Sequence, residues 1–344
     1  MFAMWRSSVL GMVVLAATVI PVEHSWMSDT QPAPTIVVVQ AITGIATNQP
    51  LSTQTAADGT LRPFAANSPF NVPIAARPAI DVNSAAMVAR ASRTGMVYAN
   101  LFQFGIPIFT ADFATPRQTV SCTMSWDWGA CPLAASPRHI PAVAKANEGS
   151  DGVMTVVDST SNTVDEYWQA HKSGNGWTTS WGAVNSLTGP GWGGSSTGSG
   201  ASRLAGVVRV AEIQAGVINH ALVFQSDNVC AAVVRAPATK TDGDSSRSDC
   251  VPEGARLQLD PGIDVASIAG ITAGERTVAR ALQLYGGYVI DRANSSFGVS
   301  FELAPDASWT STGAVYTRAG FSWDYFGMPH VPWKKLRVLA TWSG

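Results

Sequence analysis

The sequence has little charge: Asp, Glu, Lys and Arg make up only 13% of its 344 residues, and the formal net charge is −2. It contains no run of Lys and Arg, and phosphate backbones are bound by clustered basic side chains, so nucleic acid is excluded as the main partner. The chain also lacks a nucleophile elbow, a phosphate-binding loop and a dinucleotide fingerprint. We therefore predict that it uses no cofactor.

Patterns typical of metal sites are missing as well. No Cys-x-x-Cys pair occurs and the five histidines are scattered, which argues against zinc. Asp151 and Asp158 lack the spacing of a recognised calcium loop, so no metal site is predicted. The four cysteines can pair in three ways. The pairing Cys122–Cys131 and Cys230–Cys250 is favoured because each pair brackets a loop between predicted strands, and disulfides indicate an oxidising compartment.

The chain has no long hydrophobic run. The apolar stretch at residues 9–20, which follows Arg6, is too short for a comfortable membrane span and predicts a secretory signal peptide within residues 1–27. Its small-residue cleavage pattern is poor, so an uncleaved N-terminal anchor is the alternative. The protein is expected to contact a membrane only if this segment is uncleaved. Residues 28–63 read as a linker and residues 64–344 as one domain. The expected location is secreted or anchored at the cell surface.

Glycine and proline are abundant, with 31 and 20 residues, and 46% of the chain is apolar. This profile, together with a dozen short strand patterns separated by turn signals, predicts an all-β fold. We expect a β-sandwich or jelly roll of the concanavalin type with one or two short helices. The clearest helix spans residues 272–285, where Thr272 and Glu275 form a capping box. A Gly/Ser-rich segment, residues 189–200, is expected to be a mobile lid or edge loop outside the core, and a strand is expected at residues 204–210.

Residues 164–183 predict a β-hairpin around a Ser-Gly-Asn-Gly turn. A four-residue loop places Lys172 opposite Trp177, Trp168 opposite Trp181, Ala170 opposite Thr179, and Glu166 opposite Ala183. The other face then carries a row of hydrogen-bonding groups, Tyr167, Gln169 and His171, beside small residues. Such a trough suits a hydroxyl-rich ligand such as a sugar.

This polar face is the first candidate site. With Arg256 and Glu302 from neighbouring strands it could perform β-elimination on a uronate glycan: Arg or Gln neutralises the sugar carboxylate, and His or Tyr removes the proton. The Gln-Ala-His spacing resembles the Gln-x-His strand motif of jelly-roll alginate lyases. An exposed polar sheet face without a function is the alternative reading.

The second candidate site is a pair of carboxylates, Glu166 and Glu302, which could act as acid and base of a glycoside hydrolase. Glu166 could equally be an ion-pair partner of a cation. His220 shares a face with apolar residues and is either a satisfied core histidine or a buried base. Residues that could contact the substrate are the tryptophans of the hairpin and cations near the predicted groove: Trp168, Trp177, Trp181, Arg235, Lys240 and Arg256.

Several longer segments resemble a group of secreted, largely uncharacterised actinobacterial proteins; they include EYWQAHKSGNGWTTSWG, PATKTDG, PEGARLQLDP and GERTVARALQLYGGYVID. The resemblance implies secretion and a single β-rich domain, and it assigns no catalytic residue. The expected function is a secreted enzyme that degrades an extracellular polysaccharide, with lyase chemistry preferred over hydrolysis. A carbohydrate-binding protein of the cell surface, or a surface protein without a sugar ligand, are the alternatives.

Overall fold

The computed structural model describes residues 62–194 and 196–340. The predicted signal segment, and the predicted linker apart from its last residues, lie outside this part of the chain. The described residues contain strands β1 (Tyr98–Asn100), β2 (Ile108–Ala111), β3 (Arg117–Gln118), β4 (Val120–Cys122), β5 (Arg138–His139), β6 (Met154–Asp158), β7 (Thr163–Trp168), β8 (His171–Ser173), β9 (Gly176–Thr179), β10 (Trp181–Ser186), β11 (Leu222–Ser226), β12 (Val229–Val234), β13 (Val251–Glu253), β14 (Arg256–Leu259), β15 (Gly287–Arg292), β16 (Gly298–Ser300) and β17 (Leu336–Val338).

The largest sheet has six strands in the order β1-β16-β11-β15-β14-β17. It is mixed, because β11 runs parallel to β15 and β1 runs parallel to β16, while the other neighbours are antiparallel. Its buried side chains form the main core with helices α1 (Ser84–Ala91), α4 (Ala273–Leu284) and α5 (Ala314–Ala319). The sequence pattern did not predict parallel pairs, which require long connections between the strands.

The residues of the predicted hairpin are divided between two sheets. Strands β7 and β10 belong to a four-stranded sheet, β10-β7-β6-β2, and strands β8 and β9 belong to a three-stranded sheet, β4-β9-β8. The predicted register is confirmed for Trp168 with Trp181 and for Glu166 with Ala183. Lys172 also pairs with Trp177 as expected. Ala170 does not pair with Thr179, because the chain leaves the strand at Gln169 and Thr179 pairs instead with Cys122.

The described chain is 17% helical and 28% strand, which confirms a β-rich fold. It contains more helix than the predicted one or two short segments: the described residues also include α2 (Ser125–Trp128) and α3 (Val210–Ala215). Helix α4 begins as predicted, with the Thr272 hydroxyl accepting the Glu275 N–H and the Glu275 carboxylate accepting the Thr272 N–H. Gly286 then leaves the helix with a φ of 65°, a conformation that glycine adopts without strain.

Two local predictions are wrong. Residues 204–210 form no strand; Val208 makes a single bridge to Phe301, and α3 begins at Val210. The described residues of 189–200 do not stay outside the core as a lid or edge loop, because Trp192, Thr197 and Ser199 are buried and Trp192 belongs to a core cluster. The segment packs against the four-stranded sheet, and the chemical reason is the buried carboxylate described below.

Both predicted disulfides are present, Cys122–Cys131 and Cys230–Cys250. They are consistent with an extracellular protein. None of the helices in the described part of the chain has the length and apolar character needed to cross a bilayer.

Candidate functional site

The predicted polar trough is not formed. Gln169 has a φ of +55°, which interrupts the strand between Tyr167 and His171 and ends the alternation of faces on which the trough depended. Tyr167 is only 1% exposed and belongs to the core beneath the hairpin. Burial raises the pKa of Tyr167 well above its usual value, so this phenol is a poor base. His171 is exposed on β8, and Gln169 accepts a hydrogen bond from the Ser180 hydroxyl at 2.5 Å.

Three of the predicted binding residues are engaged in contacts within the protein instead. Arg256 is 4% exposed; it donates to the carbonyl oxygens of Tyr285 at 2.9 Å and Val72 at 2.6 Å. Burial lowers the pKa of Arg256. Arg235 forms an ion pair with Asp81, and Trp177 is a buried residue of the core beneath the hairpin. Their positions show that they stabilise the fold.

Glu302 and His220 lie in the same polar cluster, but Glu166 is not part of it. The His220 Nε2 atom is 3.0 Å from a carboxylate oxygen of Glu212, and Glu302 accepts the Val210 N–H at 2.8 Å. Burial raises the pKa of Glu302, and the nearby Arg209 opposes this shift. The predicted pairing of Glu166 with Glu302 is therefore wrong. Glu166 belongs to β7 and contacts Ser196 of the 189–200 segment. The Glu302 side chain instead binds the backbone N–H of Val210, the first residue of α3.

A cavity of about 320 Å³ opens where the tryptophans of the hairpin meet the loop closed by the first disulfide. We call it the tryptophan cavity. Trp128, carried by that loop, stacks on Trp168 with ring centroids 5.9 Å apart and meets Trp181 edge-on at 5.6 Å. The cavity is also lined by loop residues and by acids and cations, namely Asp151, Ser196, Thr197, Gly198, Arg203, Lys240, Asp242, Asp291 and Arg292.

A second cavity, of about 530 Å³, adjoins the first. We call it the tyrosine cavity because Tyr98 and Tyr325 line it, together with Phe104. The two cavities share four lining residues, two acids and two cations: Asp151, Arg203, Asp291 and Arg292. Because they share these residues the two cavities adjoin, and we call them together the groove; aromatic side chains line each of its two parts, and the shared residues are charged.

Asp291 occupies the junction because of an irregularity in its strand. Phe224 of β11 pairs with Val289 and Gln225 pairs with Asp291, so β15 carries one extra residue at this point. A bulge of this kind turns the next side chain away from the regular alternation of the sheet. The Asp291 carboxylate accepts the Gly198 N–H at 2.7 Å and the Arg203 guanidinium at 3.0 Å. Two donors thus fix its orientation at the groove.

Asp291 is one of three clustered acids. Asp242, Glu253 and Asp291 each offer an oxygen, and these atoms lie within 4.8 Å of one another. Burial raises the pKa of Asp291 to about 6, with Arg203 opposing the shift. Burial also raises the pKa of Glu253 to about 8, and neighbouring Asp242 adds to the shift. The cluster therefore retains a proton near neutral pH, held among carboxyl groups that titrate together.

The spacing of these three oxygens could also accommodate a cation, since calcium is bound by oxygen ligands. One positive group of the chain contacts the cluster directly. Arg203 is paired with Asp291, and Lys240 and Arg292 line the tryptophan cavity. The Arg203 guanidinium and the retained proton both reduce the negative charge of the cluster.

Glu166 stabilises the chain segment that contacts Asp291. It is 0% exposed, and its two carboxylate oxygens accept the hydroxyls of Ser196 and Ser202. Burial raises the pKa of Glu166, and these hydroxyl groups and nearby Arg203 oppose the shift. Ser196 and Ser202 flank Gly198 in the chain, and Arg203 follows Ser202. By binding these two serines, Glu166 holds Gly198 and Arg203 where they contact Asp291. The expected role of Glu166 as an acid or base in an open site is not supported by this burial.

Sequence reasoning placed Trp168, Trp181 and Lys240 at a ligand site, and the structure places all three at the tryptophan cavity. It missed Trp128, Asp291 and Glu253. The sequence carried a signal for two of them: Trp128 follows Cys122 within a predicted stapled loop, and an acid at the end of a buried strand, as in Tyr-Val-Ile-Asp291, is unusual. Comparison with protein-family models, with curated proteins and with solved structures finds no match to this chain.

Proposed function

We propose that this protein is an extracellular glycoside hydrolase whose active site is the groove at Asp291. One observation carries the proposal: a carboxyl with a raised pKa lies where two aromatic-walled cavities adjoin, with a second carboxylate, Asp242, beside it. Tryptophan faces pack against the C–H surfaces of sugars, and a carboxylic acid can protonate a glycosidic oxygen.

In this proposal Asp291 is the general acid and Asp242 the nucleophile. Asp291 gives its proton to the leaving glycosidic oxygen, while a carboxylate oxygen of Asp242 bonds to the anomeric carbon and forms a glycosyl ester. A water molecule, deprotonated by Asp291, then hydrolyses the ester and restores both groups. Oxygens within 4.8 Å favour this retaining route, because inverting enzymes separate their carboxyls by about 6.5–9.5 Å.

The lyase alternative has weaker support. It needs a base beside the sugar, yet Tyr167 is buried and His171 is not among the residues that line either cavity. A non-catalytic carbohydrate-binding protein would use the same tryptophans without the acids. A sandwich or jelly-roll architecture stays a prediction, and the proposal does not depend on it.

The test is a panel of neutral and anionic polysaccharides incubated with the purified protein. New reducing ends without ultraviolet absorbance from an unsaturated uronate are expected. Proton magnetic resonance of the first product should show the anomeric configuration of the substrate retained. A rise in absorbance together with reducing ends would instead establish a lyase. Binding of a glycan without any product would replace the hydrolase by a binding protein.

A further inference from the structure

The aromatic surface at the first end of the groove is partly open to solvent. Trp128 is 52% exposed, and its ring lies nearly parallel to Trp168, with an angle of 18° between the planes. One face of Trp128 therefore packs on the protein while its other surface is available to a ligand. The disulfide Cys122–Cys131 closes the loop that carries it.

A matching aromatic surface stands at the other end. Tyr325 lines the tyrosine cavity, and the ring of Trp323 lies 6.0 Å from it. Trp323 is also 52% exposed. On its other side Tyr325 lies 6.5 Å from Phe104, a further residue of the cavity lining. The row of rings thus continues from the cavity wall to the surface.

The segment that carries this second surface is firmly attached. The carboxylate of Asp324, between the two aromatic residues, accepts the backbone N–H groups of Leu101, Phe102 and Gln103 at 3.1, 2.7 and 2.9 Å. The Tyr325 hydroxyl donates to the side-chain oxygen of Gln103. A platform held by four hydrogen bonds is already in place before a ligand arrives, which lowers the entropy lost on binding.

We infer that the groove binds an extended glycan chain of several sugar units that runs from Trp128 to Trp323, with Asp291 facing its interior. The inference rests on the proposed function and names its substrate class: a polymer that is attacked at internal bonds, with sugars bound on both sides of the acids. A chain end or a single glycoside would need one cavity only.

The experiment measures binding by isothermal titration calorimetry in the Asp291→Asn background, so that ligands are not consumed. The probes are cello-, chito-, malto- and alginate oligosaccharides of increasing length. Trp128→Ala and Trp323→Ala are compared with matched controls. Trp126→Ala changes a residue of the same disulfide loop that is 96% exposed, and Trp309→Ala changes one that is 68% exposed. Trp323 lines neither cavity itself but contacts the cavity-lining Tyr325, whereas the ring contacts of the described residues join Trp309 only to Phe102, outside both linings, and give Trp126 none.

Affinity for one ladder should rise with length until the chain spans both cavities. Each groove variant should then weaken the longest oligosaccharide by about tenfold, the effect of losing one aromatic anchor, while both controls bind like the parent. Equal affinity for short and long chains, or a loss with Trp128→Ala alone, would overturn the extended mode but leave the hydrolase proposal standing. Binding of no ladder, with no product from the panel, would overturn both.

Discussion

Two buried carboxyl groups in this protein have opposite surroundings. Glu166 and Glu253 are both 0% exposed. Each oxygen of Glu166 accepts a serine hydroxyl, whereas the Oε1 atom of Glu253 has no hydrogen-bond partner among the described residues. Glu253 faces two further acids, while the charge nearest to Glu166 belongs to an arginine. Glu166, whose oxygens both accept hydrogen bonds, holds two parts of the chain together. Glu253, which has an oxygen without a hydrogen-bond partner among the described residues, marks the acid cluster where chemistry is expected.

The largest expected effect is on catalysis. Asp291→Asn keeps the shape of the side chain and removes the proton that the leaving oxygen needs. Turnover of the glycan found in the panel should fall by about a thousandfold. The measurement is the rate of reducing-end release, with circular dichroism to confirm folding. A folded variant with the parent's rate would remove Asp291 from the mechanism.

The second effect is on stability. In a closed site, Glu166→Ala removes the acceptor of the Ser202 hydroxyl and leaves the Ser196 hydroxyl only its long contact of 3.4 Å with the Ala201 carbonyl oxygen. The free energy of unfolding should decrease by about 3 kcal/mol, because buried donors lose their partners and a cavity remains. Urea unfolding measures it, and Glu166→Gln, which retains an acceptor oxygen, should lose less. Equal losses in both variants would show that the charge of Glu166, and not its hydrogen bonding, supports the segment.

The third effect depends on pH. The folded protein raises the pKa of Glu253 from 4.5 to about 8, so it holds the proton more tightly than the unfolded chain. The contribution of Glu253 to stability is complete below the pKa that this carboxyl has in the unfolded chain. That contribution is lost as the pH rises through the pKa of Glu253 in the folded protein. Glu253→Gln should remove this slope. The variant should be more stable than the parent by about 1 kcal/mol or more at alkaline pH and similar near pH 4.

Thermal unfolding across this pH range tests the expectation about Glu253. Asp249→Asn is the matched control, since Asp249 lies within the Cys230–Cys250 loop, and its arginine partner lowers the pKa of its carboxyl. The control should retain the slope of the parent. A parallel pair of curves for Glu253→Gln and the parent would show that Glu253 titrates normally.

The smallest expected effect belongs to His171. This side chain is exposed on β8 and lines neither cavity, so His171→Ala should change the free energy of unfolding by less than about 0.5 kcal/mol. Turnover should be unchanged. A large fall in turnover would return the site to the hairpin face and contradict the assignment of the groove.

Local chemistry made part of this structure predictable. A tight turn fixes the register of a hairpin, so the pairing of Trp168 with Trp181 follows from the residues between them. The start of α4 follows from the capping box of Thr272 and Glu275. Both disulfides follow from loop bracketing. These features need only residues that lie near one another in the chain.

The candidate site depends on contacts that no local pattern contains. Asp291 reaches the groove through a bulge in β15, and Asp242 lies in the Cys230–Cys250 loop, so their approach depends on the arrangement of the whole sheet. The 189–200 segment has the composition of a mobile loop, yet most of its described residues are buried and its Ser196 hydroxyl donates to Glu166. The break at Gln169 likewise follows from its positive φ, which the alternating pattern does not reveal.

The loop between Cys122 and Cys131 supplies one wall of the groove without contributing to the pairing of β7 with β10. Residues inside a closed loop can change while the strands beneath keep their register. Trp128 could thus be exchanged for a smaller or a polar side chain, which would change the wall of the groove while the acids stayed in place. On the proposed function, this loop is an exchangeable specificity element, and related chains could differ in the sugar that they bind while they keep the same sheets.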